Sequence, residues 1–286
     1  MVQDLEVYQS LWAMERRAPG VAEPSLEQNI ARAAEAGFHG LGLDLAMSDV
    51  PVAIAALPLL ERHGLKCLFN GFPRSDDELR FMLELSKDFG APFLSVIGQL
   101  MPPRLDDMIG VARRWIDLAD KAGQPLLFET HRHGLLNDLY PTLQMLEAIP
   151  SLTLCADLSH FVVDREFSLP VEPEAEAMIG QVLARAEAFQ GRISSNEQIQ
   201  VPIGFPQHQA WVDQYLRWWD QGLAGWRASA PADATLTFLC ELGPAPYAIT
   251  GPDGHELSDR WEEALVIRDR VEALWSEMET ASTPGG

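Results

Sequence analysis

Three apolar runs of the sequence end in a carboxylate, at Glu129, Asp157 and Glu241. Carboxylates that converge repel one another unless a cation lies between them. Their hard oxygens suit Mg²⁺ or Mn²⁺, and an added imidazole would permit Mn²⁺, Co²⁺ or Zn²⁺. A single acid at a strand end is more often a helix cap or a salt-bridge partner, so the interpretation depends on all three. If the fold makes them neighbours, we expect them to bind one divalent metal ion.

Two histidines follow these acids closely. His160 comes three residues after Asp157, and we interpret it either as a metal ligand or as a residue that binds substrate. His131 comes two residues after Glu129, so the two side chains would point to the same side of an extended chain. Both histidines are therefore candidate catalytic residues.

The three apolar runs that end in these acids belong to a regular alternation of strand-like and helical segments. Glycines stand where a helical segment ends and the next strand begins, which is the position of a left-handed helix cap; they are Gly37, Gly64, Gly90, Gly123 and Gly191. The alternation predicts parallel strands, and eight such units fit a closed (β/α)8 barrel of ~250 residues. The eight strands are predicted at 5–11, 38–44, 65–69, 93–97, 125–129, 152–157, 192–196 and 236–241.

The alternation runs without a recognisable linker. It therefore predicts one α/β domain, a TIM barrel over residues 1–280, followed by a flexible tail at 281–286. Capping boxes predict helices that begin after Ser25 and Ser75, and another helix is predicted over 171–189. The segments 161–170 and 197–207 are predicted loops on the face where the strands end. An open doubly wound sheet is the alternative, although no Gly-x-Gly-x-x-Gly motif follows the first strand.

The composition narrows the class of partner. Forty-two acids against 21 bases give a formal net charge of -21, which disfavours nucleic acid and anionic membranes because both attract basic surfaces. Neither a signal peptide nor a membrane-spanning apolar run is recognisable, so a cytoplasmic location is expected. Cys67, Cys155 and Cys240 lie in separate apolar runs and are expected to be buried thiols. We expect a small-molecule substrate, and a homo-oligomer is compatible with the sequence.

These motifs resemble those of the xylose isomerase-like TIM barrel superfamily. The resemblance rests on Glu129-Thr-His-Arg132, Asp157-Leu-Ser-His160 and Glu241-Leu-Gly-Pro244. The superfamily contains sugar isomerases and epimerases, hydroxypyruvate isomerase-like proteins, inosose dehydratases and endonuclease IV. Its epimerases hold a metal ion through Glu, Asp, His and Glu on strands five to eight. The resemblance therefore implies that Glu129, Asp157 and Glu241 are metal ligands.

The seventh strand departs from this pattern. A histidine is expected there, and the sequence instead reads Arg192-Ile-Ser-Ser-Asn-Glu197. If Arg192, Ser194 and Asn196 face the barrel interior, Ser194 or Asn196 would occupy the ligand position. A neutral oxygen is chemically acceptable to a hard cation, and hydroxypyruvate isomerase-like relatives use glutamine there. Such a ligand should bind the metal more weakly than imidazole does.

The resemblance implies a metal-dependent isomerase or epimerase that acts on a keto-sugar or a related polyhydroxy carbonyl compound. Mn²⁺, Mg²⁺ or Co²⁺ would polarise the carbonyl, and Glu129 and Glu241 would move a proton through an enediolate. Arg132, Trp12 and Gln9 are the predicted substrate-binding residues. The alternatives are a lyase or dehydratase on the same scaffold, and a non-catalytic small-molecule-binding barrel that has lost its metal. Endonuclease IV-like cleavage is disfavoured, because it needs a histidine-rich zinc cluster and a DNA-binding surface.

Overall fold

The protein is a closed barrel of eight parallel strands in a computed structural model that describes residues 3–16 and 18–282. Each strand pairs with the next one in the sequence, and β8 closes the barrel against β1. The predicted (β/α)8 fold is confirmed. The strands are β1 Asp4–Ser10, β2 Gly40–Leu45, β3 Lys66–Gly71, β4 Leu94–Val96, β5 Leu126–Glu129, β6 Leu154–Ala156, β7 Ala186–Gly191 and β8 Thr235–Cys240.

Helices cover the outside of the barrel. Ser25 forms the predicted capping box with Gln28, and Gly64 and Gly123 end their helices in the left-handed conformation. At Ser75 half of the predicted box forms, because its side chain accepts the backbone N–H of Glu78. In the described residues the helices are α1 Leu26–Glu35, α2 Val50–His63, α3 Asp76–Asp88, α4 Leu105–Ala122, α5 Leu139–Ala148, α6 Leu158–Asp164, α7 Pro173–Leu183, α8 Gln209–Ser229 and α9 Arg260–Ser282.

The seventh strand lies six residues earlier than the sequence predicts. Helix α7 ends at Leu183 and β7 occupies Ala186–Gly191, whose residues 186–189 were predicted to be the end of the preceding helix. Its alanines favour a helix intrinsically, but pairing with β6 and β8 overrides that preference. Gly191 is therefore the last residue of a strand and not a helix cap. A Cβ there would lie 2.5 Å from the Phe238 ring, so close packing requires the glycine.

The segment after β6 is not the predicted loop throughout. Residues from Leu158 to Asp164 form helix α6, whose N-cap is Asp157. The Asp157 side chain accepts the backbone N–H of Ser159, which satisfies one of the free N–H groups at the start of a helix. The cap fixes the carboxylate at the end of the strand.

An apolar layer fills the middle of the barrel. Its side chains come from seven of the eight strands or their first flanking residues, and they are Tyr8, Leu68, Phe93, Leu127, Cys155, Ala188 and Leu239. On β2 the equivalent position is Gly42, where a Cβ would lie 2.7 Å from Leu239. Side chains alternate between the two faces of a strand, so the residue two positions beyond each of these also faces the interior.

A larger apolar core lies between the barrel and its helices. Trp211, Trp218 and Trp219 of α8 are buried in it, and the three cysteine thiols are buried, as predicted. Of the helices within residues 3–16 and 18–282, none has the length and apolar character to cross a membrane. The predicted tail begins in the last residues of α9, and its residues 283–286 lie outside the described part.

Glu263 of α9 should make the fold sensitive to pH. Its side chain is 8% exposed and accepts the backbone N–H of Ile203 at 2.8 Å. Burial raises its pKa from 4.5 to about 7. The native state therefore holds a proton that the unfolded state releases, so stability falls as the pH rises between these two values. Between pH 5.5 and pH 8 this residue should lower the free energy of unfolding by about 2 kcal/mol.

Glu263→Gln keeps an acceptor for Ile203 and removes the charge. We expect urea unfolding to give the variant and the wild type similar free energies of unfolding at pH 5.5. At pH 8 we expect the free energy of unfolding of the variant to exceed that of the wild type by about 2 kcal/mol. Glu262→Gln, at the exposed neighbouring position of α9, is the control and should show no such trend. Equal pH dependence of the wild type and Glu263→Gln would contradict the assignment.

Candidate functional site

A polar layer lies directly beyond the inner apolar layer. It consists of the residues two positions further along each strand, and all eight are polar. They are Ser10, Asp44, Asn70, Ser95, Glu129, Asp157, Gln190 and Glu241. Because all strands are parallel, this layer stands at one mouth of the barrel, where the strands end. We call it the polar ring.

The three predicted acids meet in the polar ring. Oxygens of Glu129, Asp157 and Glu241 all lie within 4.8 Å of one another. The residues are 2%, 0% and 5% exposed, respectively. Three carboxylates this close and this buried need a compensating positive charge or a proton. The sequence-based expectation that they become neighbours is therefore confirmed.

Gln190 is the contribution of the seventh strand. Its Nε2 donates a hydrogen bond of 2.7 Å to Glu129 Oε2, and its Oε1 is buried without a hydrogen-bond partner among the described residues. The register of β7 thus corrects the expectation that Ser194 or Asn196 fills the ligand position. Ser194 shares a hydrogen bond of 2.6 Å with the Tyr215 hydroxyl, and Asn196 lies beyond the strand.

Arg192 brings a positive charge to the acids. Its Nε donates to Asp157 Oδ2 at 3.2 Å, and its Nη2 donates to Glu241 Oε2 at 2.7 Å. Burial opposes the charge, but the two carboxylates outweigh it and raise the pKa of the guanidinium. Arg192 therefore stays charged. No function was predicted for Arg192 from the sequence.

Burial and mutual repulsion keep protons on part of the acidic cluster. Burial, and then the charges of Glu241 and Asp157, raise the pKa of Glu129 well above its usual range. Burial raises the pKa of Glu241 to about 6, against the lowering effect of Arg192. Burial and the charge of Glu241 raise the pKa of Asp44 to about 8. Glu129 and Glu241 have different neighbours, so their pKa values are raised to different extents. Such a pair is suited to one group accepting a proton while the other donates one.

The two predicted histidines pack against each other at a tilt, beside the carboxylates. The rings of His131 and His160 are 3.9 Å apart between centroids, and His160 Nε2 lies 3.4 Å from Asp157 Oδ2. Burial lowers the pKa of both imidazoles, so both are neutral. Neither ring nitrogen of His160 has a hydrogen-bond partner within the described chain. Glu129, His131 and His160 form a second group with ligand atoms within 4.8 Å of one another.

Two aromatic rings cover the site. Trp12, just after β1, and Tyr247, in the loop after β8, pack edge to face with centroids 5.2 Å apart. The Arg192 guanidinium lies 4.7 Å from the Tyr247 centroid and 5.8 Å from that of Trp12. A Cβ at Gly243 would overlap the Trp12 indole, so the glycine allows the indole to lie here. We call Trp12 and Tyr247 the aromatic roof.

Arg132 and Gln9, the other two predicted substrate-binding residues, differ in their position relative to the site. Arg132 is exposed, and its guanidinium lies 5.8 Å from the Tyr247 centroid, at the edge of the roof. Gln9 follows the interior residue Tyr8 directly, so alternation places it on the outer face of β1. Of the predicted substrate-binding residues, Trp12 and Arg132 adjoin the site, whereas Gln9 belongs to the other face of the strand.

The donor set fits a hard divalent cation. Three carboxylates offer oxygens within 4.8 Å of one another, and the Gln190 amide oxygen beside Glu129 has no partner in the described part of the chain. Hard cations accept carboxylate and amide oxygens. Glu129, Asp157, Gln190 and Glu241 are therefore the residues that could hold a metal ion.

Comparisons with known proteins support the fold. No family model and no curated protein sequence matches the chain. Among solved structures, an L-ribulose 3-epimerase is 16% identical and superimposes with a TM-score of 0.62, covering 100% of both chains. A xylose isomerase-like TIM barrel protein from Mycobacterium smegmatis, solved in complex with magnesium, is 13% identical with a TM-score of 0.57, over 94% of this chain and 97% of that one.

The chain has the fold of the xylose isomerase-like TIM barrel proteins. A probable 3-DHS dehydratase involved in petrobactin synthesis, from Bacillus anthracis, also superimposes, at 14% identity and a TM-score of 0.54, over 94% of this chain and 98% of that one. Epimerases and a dehydratase thus share this scaffold. At these identities the likeness concerns the fold, and a fold alone does not determine the chemistry of a site.

Proposed function

We propose that the protein is a metal-dependent isomerase or epimerase that acts on a keto-sugar or a related polyhydroxy carbonyl compound. The observation that carries the proposal is the pair Glu129 and Glu241. Both are buried in the polar ring with raised pKa values, and their oxygens lie within 4.8 Å of each other. Two such carboxylates can remove a proton from carbon and return one to it.

The polar ring suits a substrate with several hydroxyl groups. Buried polar groups are nearly always hydrogen-bonded, yet five members of the ring carry a buried atom without a partner among the residues described. These atoms are Ser10 Oγ, Asp44 Oδ1, Asn70 Oδ1, Ser95 Oγ and Gln190 Oε1. They offer acceptors and hydroxyl donors around the ring, which is the pattern that a polyhydroxylated ligand can satisfy.

The chain's own residues divide the work of proton transfer. A divalent ion held by Glu129, Asp157, Gln190 and Glu241 would polarise the substrate carbonyl and acidify the neighbouring C–H bond. One glutamate then takes the proton from that carbon, and the other delivers a proton to the enediolate from a different side. The hydrogen bond from Gln190 holds Glu129 in place, and Arg192 and Asn70 hold Glu241.

Neighbouring side chains would orient the substrate. Neutral His160 has ring nitrogens that can donate to or accept from a hydroxyl group, and His131 packs against its face. Arg132 lies at the edge of the aromatic roof, where it can reach a substrate oxygen that projects outward. Trp12 would exclude water, which strengthens electrostatic interactions within the site.

Deuterium exchange tests the proposal directly. Ketoses and related polyhydroxy carbonyl compounds are incubated with the protein and Mg²⁺ in D₂O, and proton NMR follows the carbon next to the carbonyl. We expect deuterium to enter that carbon of the true substrate, with EDTA stopping the exchange. The function is refuted if no compound of this class exchanges, or if exchange continues unchanged after metal removal.

The same spectra separate an isomerase or epimerase from a lyase. An enediolate that expels a neighbouring hydroxyl group loses water, so the product would show one hydroxyl fewer. An isomerase or epimerase returns a product of the same composition. The dehydratase with this fold makes the lyase the second candidate, and loss of water from the substrate would favour it.

Gln190 should set the metal affinity. Replacing it with histidine exchanges a neutral amide oxygen for an imidazole, a better ligand for Co²⁺. We expect Gln190→His to bind Co²⁺ about tenfold more tightly than the wild type, corresponding to about 1.4 kcal/mol. Gln190→Leu, which removes the oxygen at similar volume, should bind it more weakly. Calorimetric titration measures both, and unchanged affinity in both variants would remove Gln190 from the ligand set.

A further inference from the structure

The guanidinium of Arg192 and a metal ion would need the same oxygens. Arg192 Nε and Nη2 contact Asp157 Oδ2 and Glu241 Oε2, and these two carboxylates belong to the metal-binding group. The other Asp157 oxygen already accepts from the Ser159 backbone N–H at 2.9 Å and from its hydroxyl at 2.5 Å. The oxygen on which the guanidinium lies is thus the one that Asp157 has left to offer.

We propose that Arg192 is a built-in competitor for the divalent metal ion, so that the guanidinium and the metal occupy Asp157 and Glu241 alternately. This inference rests on the proposed metal site. A guanidinium satisfies two carboxylates through its planar fork of N–H donors. A divalent ion held by Asp157 and Glu241 would draw on the same carboxylate oxygens. Two cations so close repel each other strongly, so binding of one displaces the other.

Two aromatic rings lie beside the Arg192 guanidinium and could hold it after its displacement from the carboxylates. Its centre already lies 4.7 Å from the Tyr247 ring and 5.8 Å from the Trp12 ring, and aromatic faces attract guanidinium groups. Arg192 Nη1 is buried and has no hydrogen-bond partner among residues 3–16 and 18–282. A rotation toward the aromatic roof would release Nε and Nη2 from the carboxylates while the guanidinium stays in contact with the two rings.

The competition has a consequence for stability. Buried carboxylates without a counter-charge destabilise a fold, whereas Arg192 supplies a positive charge to Asp157 and Glu241 from within the chain. The protein should therefore stay folded when the metal is removed by a chelator. Metal binding then has to break the ion pairs of Arg192 with Asp157 and Glu241, and this cost in free energy weakens the apparent affinity of the site for the metal.

Metal titration of Arg192 variants tests the competition. Chelator-treated wild type, Arg192→Met and Arg192→Lys are titrated with Mn²⁺ by calorimetry, after circular dichroism has shown that each is folded. We expect Arg192→Met to bind Mn²⁺ at least tenfold more tightly than the wild type. Arg192→Lys keeps the charge but lacks the planar fork, so we expect tighter binding than wild type and weaker binding than Arg192→Met.

Arg132→Met separates competition from a general effect of charge. Arg132 lies near the same roof but has no contact with Asp157 or Glu241 in the described structure, so its loss should change the affinity by less than threefold. Equal tightening in Arg132→Met and Arg192→Met would overturn the proposal. So would unchanged or weaker binding in Arg192→Met, or no binding in any protein.

The outcomes distinguish this inference from the proposed function. If the wild type exchanges substrate protons in a metal-dependent way and Arg192→Met does not bind more tightly, the function stands and the competition falls. If Arg192→Met binds Mn²⁺ but the wild type neither binds it nor exchanges protons, the competition stands and the metal-dependent function falls. Arg192→Lys keeps the test open should the methionine variant fail to fold.

Discussion

Glu241→Gln is expected to lower the rate of proton exchange at least about a thousandfold, since a positioned acid or base contributes about 10²–10⁴ to a rate. Glutamine keeps the size of the side chain and can still accept a hydrogen bond from Arg192 Nη2, so the fold should be retained. It cannot take or give the proton. Exchange in D₂O at saturating Mg²⁺ measures the loss apart from any weakening of metal binding.

Glu262→Gln is the matched control for Glu241→Gln. It makes the same chemical change at an exposed position of α9 and should leave the exchange rate within twofold of the wild type. Circular dichroism and thermal unfolding confirm that both variants are folded. If Glu241→Gln keeps more than about a tenth of the wild-type rate, Glu241 does not transfer the proton and the proposed mechanism is wrong.

Asp157→Asn is expected to weaken Mn²⁺ binding at least about a hundredfold, or about 2.7 kcal/mol. The substitution replaces a charged carboxylate of the proposed ligand set with a neutral amide, which attracts a divalent cation less strongly. Asparagine is as good an N-cap as aspartate, so α6 should still begin at Leu158. The loss of affinity can then be attributed to the missing charge at the site.

Asp138→Asn provides an unusually close control for this variant. Asp138 is also the N-cap of a helix, where it accepts the backbone N–H of Tyr140, and it also pairs with an arginine, Arg165. It lies outside the group that could hold a metal ion. Calorimetry should therefore find wild-type Mn²⁺ affinity in Asp138→Asn. Similar losses in both variants would show that Asp157 acts through the fold and not as a ligand.

The acids of the site could be predicted because each ends an apolar strand. In parallel strands the ends meet at one mouth, so Glu129, Asp157 and Glu241 could be placed together from their spacing in the eightfold alternation alone. The glycine caps at Gly64 and Gly123 marked the boundaries that make the alternation countable. Local signals and the fold agree at these positions, which is why the prediction succeeded there.

Gln190 was missed because its assignment depends on the register of a strand. The run before it, rich in alanine, favours a helix locally, and only pairing with β6 and β8 turns it into a strand. Once Ala188 is known to face the interior, Gln190 follows by alternation. The same rule would have found Ser10, Asn70 and Ser95, none of which carries a charge that draws attention in the sequence.

The function of Arg192 could not be predicted for a different reason. Sequence reasoning sought a metal to balance the three acids, although an arginine can balance two of them through its fork of donors. Whether a basic residue near an acidic cluster points into it depends on contacts across the barrel. Here those contacts come from Asp157, which directly follows β6, and Glu241, which directly follows β8.

The aromatic roof implies that turnover includes a mechanical step. With Glu129, Asp157 and Glu241 at most 5% exposed, we expect a sugar-sized substrate of the proposed enzyme to reach them only after side chains at the mouth, among them Trp12 and Tyr247, move apart. If the proposed function is correct, each catalytic cycle would need one opening for entry and another for departure, and such motions limit the speed of many enzymes. A site that closes around its substrate would also select by size, so substrates could be distinguished by the length of the carbon chain without any additional hydrogen bond.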